Sequence, residues 1–395
     1  MSRSSSILLT VAGRDAPGVA GRLFGALEPL ALPVLDVEQV QVHGRLLLCV
    51  EMEGEPGDVD RLKAALDQDP SWAEDDLRLS VVTLPSAVVR QDPVRHLVTV
   101  LGTDLGSGVL AGVFGRLGEA GVNVDRIVRL ADYPVTSYEL TVSGGDPDRL
   151  RRDLSAEAAR QGVDVAVQAA GLHRRAKHLI VLDADSTLLQ GEVIDLLAAR
   201  TGHAEQVAAV TAAAMAGEID FADALRDRVA LLAGIEATVL DDVRRELRLA
   251  PGARTLVRTL RRLGYVTAVV SGGFVQVIEG LAATLGIDQV AANTLEIESG
   301  RLTGRLIGPV IDRPGKAEAL VRFADLAGVP LSRTIAVGDG ANDLDMLATA
   351  GLGIAFNAKP VVREAADTSL SVPYLDAVLF MLGISREEIE AADEG

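Results

Sequence analysis

The stretch VLDADSTLLQGEVIDLLA, residues 181–198, runs apolar residues straight into two aspartates, Asp183 and Asp185, with only Ala184 between them. Aspartate is depleted in strands, and carboxylates crowded this closely need a cation or a proton to coexist. HLIVL before the pair reads as a buried strand and EVIDLLAAR after it as a helix, so both carboxylates stand where a strand ends and its loop begins. Three later segments carry partners for them: VVSGG ending in Ser271, Gly272 and Gly273; Lys316 at a helix start; and GDGAND, with Asp339, Asn342 and Asp343. Asp183, Asp185, Asp339 and Asp343 suit a hard divalent cation with oxygen ligands, Mg²⁺ rather than zinc. Ser271 with the Gly272 and Gly273 amides is expected to open a helix and cradle an anion. Lys316 adds a compact positive charge, in a chain whose only other lysines are Lys63, Lys177 and Lys359.

These residues need strands to position them. From His178 the texture alternates strand and helix, the pattern of a parallel α/β sheet. The expected order is strand HLIVLDAD, a helical stretch to about residue 250, helix GARTLVRTLRRLG, strand YVTAVVSGG and helix FVQVIEGLAATLG. Strands QVAANTLEIESG and RLTGRLIG follow, then helix GKAEALVRFADLAG, strand TIAVGDG, helix ANDLDMLATAG and a closing strand LGIAFN. Asp183, Ser271 and Asp339 fall at the carboxyl ends of strands, where ligands of such folds sit. A nucleotide-binding loop is excluded: no Ser or Thr follows Lys316, and no GxGxxG follows a strand.

The chain has 395 residues, 48% of them apolar, enough for two or three domains with real cores. A net charge of −18 argues against nucleic-acid or membrane-surface binding. One cysteine, Cys49, excludes a disulfide framework and a cysteine zinc site. No apolar run reaches the roughly 18 residues of a membrane span, and the N-terminus has too short an apolar stretch for a secretory signal. A cytoplasmic protein is the expectation.

The first 170 residues contain a repeat. LLTVAGRDAPGVAGRLFGAL from Leu8 matches LVTVLGTDLGSGVLAGVFGRL from Leu97: Thr10 and Val11 align with Thr99 and Val100, Gly13 with Gly102, Asp15 with Asp104 and, after one insertion, Gly18 with Gly108. Each copy orders its elements βαββαβ, which folds as an antiparallel sheet with helices on one face. The copies span 1–87 and 95–171, and GLHRRAKH, 171–178, connects the second to the α/β region. Each resembles the ACT domain, a ferredoxin-like module that binds small molecules. The resemblance implies a ligand site at the loops GRDAPG and GTDLGSG, around Asp15, Gly18, Asp104 and Gly108. It also implies that the ligand is an amino acid and that the chain is a homodimer through these domains.

Residues 178–385 resemble the haloacid dehalogenase (HAD) superfamily of phosphatases through DADST, VVSGG, Lys316 and GDGANDLDM. The resemblance implies a Rossmann-like sheet with a helical cap at about 190–250. It implies Asp183 as a nucleophile that forms an aspartyl-phosphate, and Asp185 as the group that protonates the leaving oxygen and then activates water. Mg²⁺ would be held by Asp183, the Asp185 carbonyl and Asp339, with Asp343 behind them, and Lys316, Ser271 and Asn342 would hold the phosphoryl oxygens. Within the cap, MAGEIDFADALRDRVALL narrows the similarity to the phosphoserine phosphatase family. There Glu192 would meet the substrate ammonium, Arg228 its carboxylate, and Met215 and Phe221 would line the pocket. The implied reaction is Mg²⁺-dependent hydrolysis of phosphoserine to L-serine and phosphate, the last step of serine synthesis. Ala184 departs from that family, which more often has a bulky residue there. The alternatives are a HAD phosphatase or phosphotransferase for another small phosphomonoester, and an amino-acid-sensing regulator with a vestigial phosphatase domain.

Overall fold

A computed structural model describes residues 5–84, 94–171, 177–215 and 218–394. It divides into two compact units, Met1–Pro93 and Val94–Gly395.

The first unit holds the first repeat. Strands Ser5–Arg14, Val34–Val42, Arg45–Gly54 and Leu77–Leu84 form an antiparallel sheet in the order second, third, first, fourth. Alternation along the central strands sends Ile7, Leu9, Val11, Leu48 and Val50 into one core with Leu23 and Leu62 of the helices Val19–Leu27 and Pro56–Leu66. The edge strand Val34–Val42 is exposed along its whole length.

The second repeat has the same topology: strands Arg95–Gly102, Asn123–Ala131, Thr136–Ser143 and Asp164–Ala169, with helices Ser107–Glu119 and Pro147–Gln161. Its helix-side core contains Val98, Val100, Leu117, Leu140 and Leu154. Its opposite face is also buried: Leu101 and Ala166 belong to the same apolar cluster as Phe380 and Met381 near the C-terminus. Gln168 Nε2 donates to the Met381 carbonyl at 2.8 Å. The second repeat and the α/β region therefore share a core. The connector at 172–176 lies outside the described residues.

The α/β region is a seven-stranded sheet in the order Arg301–Ile307, Gln289–Glu298, Val266–Phe274, Leu179–Asp183, Thr334–Gly338, Gly353–Phe356, Thr368–Leu370. All neighbours are parallel except the first pair. Its central strands are buried on both faces, as a parallel sheet requires: Ile180 and Leu182 enter one apolar cluster, Leu179 and Val181 another. Two expectations need correction. LGIAFN does not close the sheet, because Thr368–Leu370 adds a strand beyond it. The SGG segment does not open a helix, because it is the extended end of Val266–Phe274 and the helix begins at Val275. Helices Val193–Thr201, Ala204–Met215, Phe221–Ala230 and Val239–Glu246 form the insert between the first sheet strand and the helix Ala253–Arg262. The chain enters and leaves this insert through a short two-segment antiparallel bridge: Gln190 N donates to the Arg248 carbonyl and Ala250 N to that of Leu188, at 2.8 and 2.9 Å.

Candidate active site

Register brings the motif residues together. Val270 pairs with Asp183 and Val337 with Leu182, so Ser271 and Asp339 emerge beside Asp183 at one end of the sheet. Lys316, in the first turn of helix Arg313–Ala327, reaches them fully buried. Its ammonium lies 2.6 Å from Asp183 Oδ1 and 2.7 Å from Asp343 Oδ1. The other Asp343 oxygen accepts from the amides of Asp339 and Gly340 at 3.1 and 2.9 Å. Gly338 makes that fold-back possible, since a Cβ there would lie 2.4 Å from the Asp343 carboxyl carbon.

The charges do not cancel. Oxygens of Asp183, Asp339 and Asp343 lie within 4.8 Å of one another, and Lys316 compensates one of the three. Burial, then the Asp343 charge, pushes Asp183 well above the usual carboxylate range. The same two causes push Asp339 up to about 6, although Thr187 Oγ1 donates to it at 3.0 Å. Burial alone would lower the Lys316 pKa, but Asp183 and Asp343 outweigh it and raise it. An all-oxygen set with two uncompensated negative charges fits a hard dication. The Asp185 side chain stands outside this set: Oδ1 accepts from the Val193 amide at 2.9 Å and Oδ2 from Ser271 Oγ at 3.1 Å. Burial raises its pKa, which suits a carboxyl that must carry a proton.

The cap supplies a second, looser pair. Glu192 precedes the helix Val193–Thr201 but makes no capping bond. Instead it faces Arg228 Nη1 at 3.7 Å. Burial, then the charges of Asp185 and Asp195, raises the Glu192 pKa. The buried Arg228 is held by its own helix, Nε donating to the Ala224 carbonyl at 3.2 Å, and by Thr211 Oγ1 at 3.5 Å. Phe221 rests on Gly272: a Cβ there would be 3.1 Å from the phenyl Cζ, so glycine lets the cap close onto the strand end. Asn293 fixes that strand end, donating to the Gly272 carbonyl and accepting from the Ile311 amide, both at 2.8 Å. Asn342 is half-buried in the loop before Asp343. Met215 ends its helix, and its side chain lies outside the described residues.

Thr187, Thr211 and Asn293 were missed by sequence reasoning. Thr187 was readable as the last letter of DADST. Thr211 stands one helical turn before Met215, a weaker signal, and Asn293 had none. The predicted regulatory residues are not part of this centre. Gly18, at φ +93°, precedes the helix Val19–Leu27 in the first unit, with Asp15 half-buried nearby. Gly108 is the second residue of Ser107–Glu119 in the second unit, and Asp104 is exposed. A Cβ at either glycine would meet open space.

Known families and proteins resemble the chain over most of its length. The family model for haloacid dehalogenase-like hydrolases matches residues 180–348, and two ACT domain models match 5–79 and 94–168. The chain is 55% identical over 392 residues to a phosphoserine phosphatase of Streptomyces coelicolor, covering 98% of this chain and 94% of that one. It is 52% identical over 406 residues to one of Mycobacterium tuberculosis, covering 100% and 97%. Among solved structures, a probable phosphoserine phosphatase from Vibrio cholerae superposes with a TM-score of 0.58 at 32% identity, covering 76% of this chain and 89% of that one. No helix among the described residues is long and apolar enough to cross a membrane.

Proposed function

The chain belongs to the phosphoserine phosphatase family, with a haloacid dehalogenase-like hydrolase domain behind two ACT domains, and from that premise we propose that it hydrolyses O-phospho-L-serine to L-serine and phosphate, the last step of serine synthesis. The observation that carries the substrate is the Glu192–Arg228 pair at 3.7 Å. An acid and a base held loosely over a phosphate-handling centre match the ammonium and carboxylate of a serine moiety, which would separate them and satisfy each.

An Asp183 oxygen attacks phosphorus while the ester P–O bond breaks and the departing serine oxygen takes the Asp185 proton. Asp185, now a carboxylate, removes a proton from water, which attacks the aspartyl-phosphate and releases phosphate and Asp183. Lys316 holds Asp183 in place and, with Ser271 and Asn342, binds the phosphoryl oxygens. A Mg²⁺ ion held by Asp183, the Asp185 carbonyl and Asp339, with Asp343 behind, would supply the neutralisation that an anion attacking an anion requires.

Phosphate release from phosphoserine, with Mg²⁺ and after chelation, tests this directly. The expected result is Mg²⁺-dependent release that falls sharply for phosphomonoesters without the ammonium and carboxylate. Equal rates on all of them would overturn the substrate. The ACT domains, in this reading, bind L-serine at the Asp15–Gly18 and Asp104–Gly108 loops of a cytoplasmic homodimer and report it to the phosphatase. Serine inhibition of the full chain should then weaken in Gly18→Ala and Gly108→Ala variants. Unchanged inhibition in both would assign it to product at the catalytic centre.

A further inference from the structure

A cavity of about 500 Å³ lies between helix Pro147–Gln161 of the second repeat and the segment 360–369 of the α/β region, away from the catalytic centre. We propose that it is a binding site for a small organic anion, with an apolar body and one carboxylate or phosphate group. Its size is in the range of ligand sites and far exceeds what a bare inorganic anion fills.

The lining divides by chemistry. Ala156, Ala159, Val163 and Val165 give it an apolar wall, and Arg151, Arg152 and Arg363 bring three guanidinium groups to it. In a chain of net charge −18, that convergence is unusual. Glu364 and Asp367 share the lining and the buried Asp164 feels the Arg363 charge, but among the described residues none of the three arginines forms an ion pair with a lining carboxylate. Arg151 pairs with Asp148 outside the lining, at 3.2 Å, and its Nε is buried without a hydrogen-bond partner. Among the described residues, neither Arg152 nor Arg363 has a carboxylate within ion-pair distance. Asp367 spends one oxygen on the Gly353 amide at 2.8 Å, and both it and Glu364 are exposed. Guanidinium forks match carboxylate and phosphate oxygens in pairs.

The two sides are also tied by a built seam. The buried Asp164 accepts from the Ser371 amide and hydroxyl at 2.6 and 2.9 Å, and Thr368 Oγ1 donates to the Val165 carbonyl at 3.3 Å. These bonds fix the strand Asp164–Ala169 against Thr368–Leu370 and leave the cleft beside them preformed, so little is lost in ordering it for a ligand.

Calorimetric titration of the full chain with benzoate and with phenylphosphonate tests the site, the two probes distinguishing a carboxylate from a phosphate-like ligand. Inorganic phosphate and benzyl alcohol serve as the separate halves. At least one probe should bind more tightly than either half. Its affinity should fall about tenfold or more in Arg152→Gln/Arg363→Gln, the scale of losing charged hydrogen bonds. It should be lost in Ala159→Trp, which fills the cleft without touching its charge. Phosphoserine turnover without probe should be unchanged in both variants, which separates this site from the catalytic one. No heat from either probe, or the same heat in all three proteins, would overturn the proposal.

Discussion

The strand-end centre and the cap handle opposite charges in contrasting ways. At the strand ends Lys316 is buried and bonded at 2.6 and 2.7 Å to two carboxylates that are themselves buried. In the cap Arg228 is buried but meets a half-exposed Glu192 only at 3.7 Å. The centre is over-determined: backbone amides hold one Asp343 oxygen, Lys316 holds the other together with Asp183, and neighbouring strands set where these residues emerge. Such pre-organisation avoids rearrangement as charge moves in the reaction. The cap pair is held from the arginine side alone, so a zwitterion can replace the contact at little cost. In the proposed reading, rigid chemistry and exchangeable recognition reside on separate elements, joined by the short bridge at 188–190 and 248–250.

The largest expected effect is at the centre. Asp183→Asn keeps shape and a hydrogen-bond acceptor for Lys316 but removes the proposed nucleophile, and turnover of phosphoserine should fall by roughly four orders of magnitude or more. Phosphate release close to that of the parent protein would place the nucleophile elsewhere and dissolve the contrast. Lys316→Met should show the same region from the stability side. Removing one partner of a buried ion pair costs about 3–5 kcal/mol, here because Asp183 and Asp343 are left facing Asp339 without a protein cation. Thermal unfolding with and without Mg²⁺ reads it: the variant should gain more from the ion than the parent does. An equal gain in both would mean that the three carboxylates do not act as one charge cluster.

Arg228→Ala should act selectively. Loss of a charged partner in a closed site costs roughly 2–5 kcal/mol, so kcat/KM on phosphoserine should drop by that amount. An aryl phosphate without a carboxylate should lose far less. Equal losses on the two substrates would make Arg228 a strut of the cap, because its bonds to Ala224 and Thr211 would then matter more than its charge.

The centre was legible in the sequence because its parts are short-range words at strand ends, and parallel register aligns such ends without further information. What was not legible came from tertiary packing. SGG continues a strand because Asn293, more than twenty residues away in sequence, holds the Gly272 carbonyl in place. Thr368–Leu370 is too short to announce itself and exists because Gly353–Phe356 offers it an edge. The two repeats teach the same lesson. Their patterns align residue by residue, yet Thr99 is fully buried and its counterpart Thr10 is only half-buried. The second sheet has Met381 and its neighbours across its open face, and no feature of the repeat itself encodes that.

The smallest effect concerns the acid side of recognition, and its sign follows from the Glu192 environment. Burial, with Asp185 and Asp195 behind it, holds this carboxyl above the ordinary glutamate range. Recognition of an ammonium needs the ionised form, which is complete above the raised pKa and lost as pH falls through it. The kcat/KM for phosphoserine should therefore decline on the acid side at a higher pH than an unperturbed glutamate would give. The decline should be limited to about tenfold, because a protonated carboxyl still offers a carbonyl oxygen to the ammonium. A substrate without the ammonium should lack this limb, and so should Glu192→Gln with phosphoserine. Were the limb to persist unchanged in Glu192→Gln, the titrating group would belong to the strand-end centre or to the substrate's own phosphate, whose second pKa is about 6. The loose cap pair would then have no part in reading the substrate's charge.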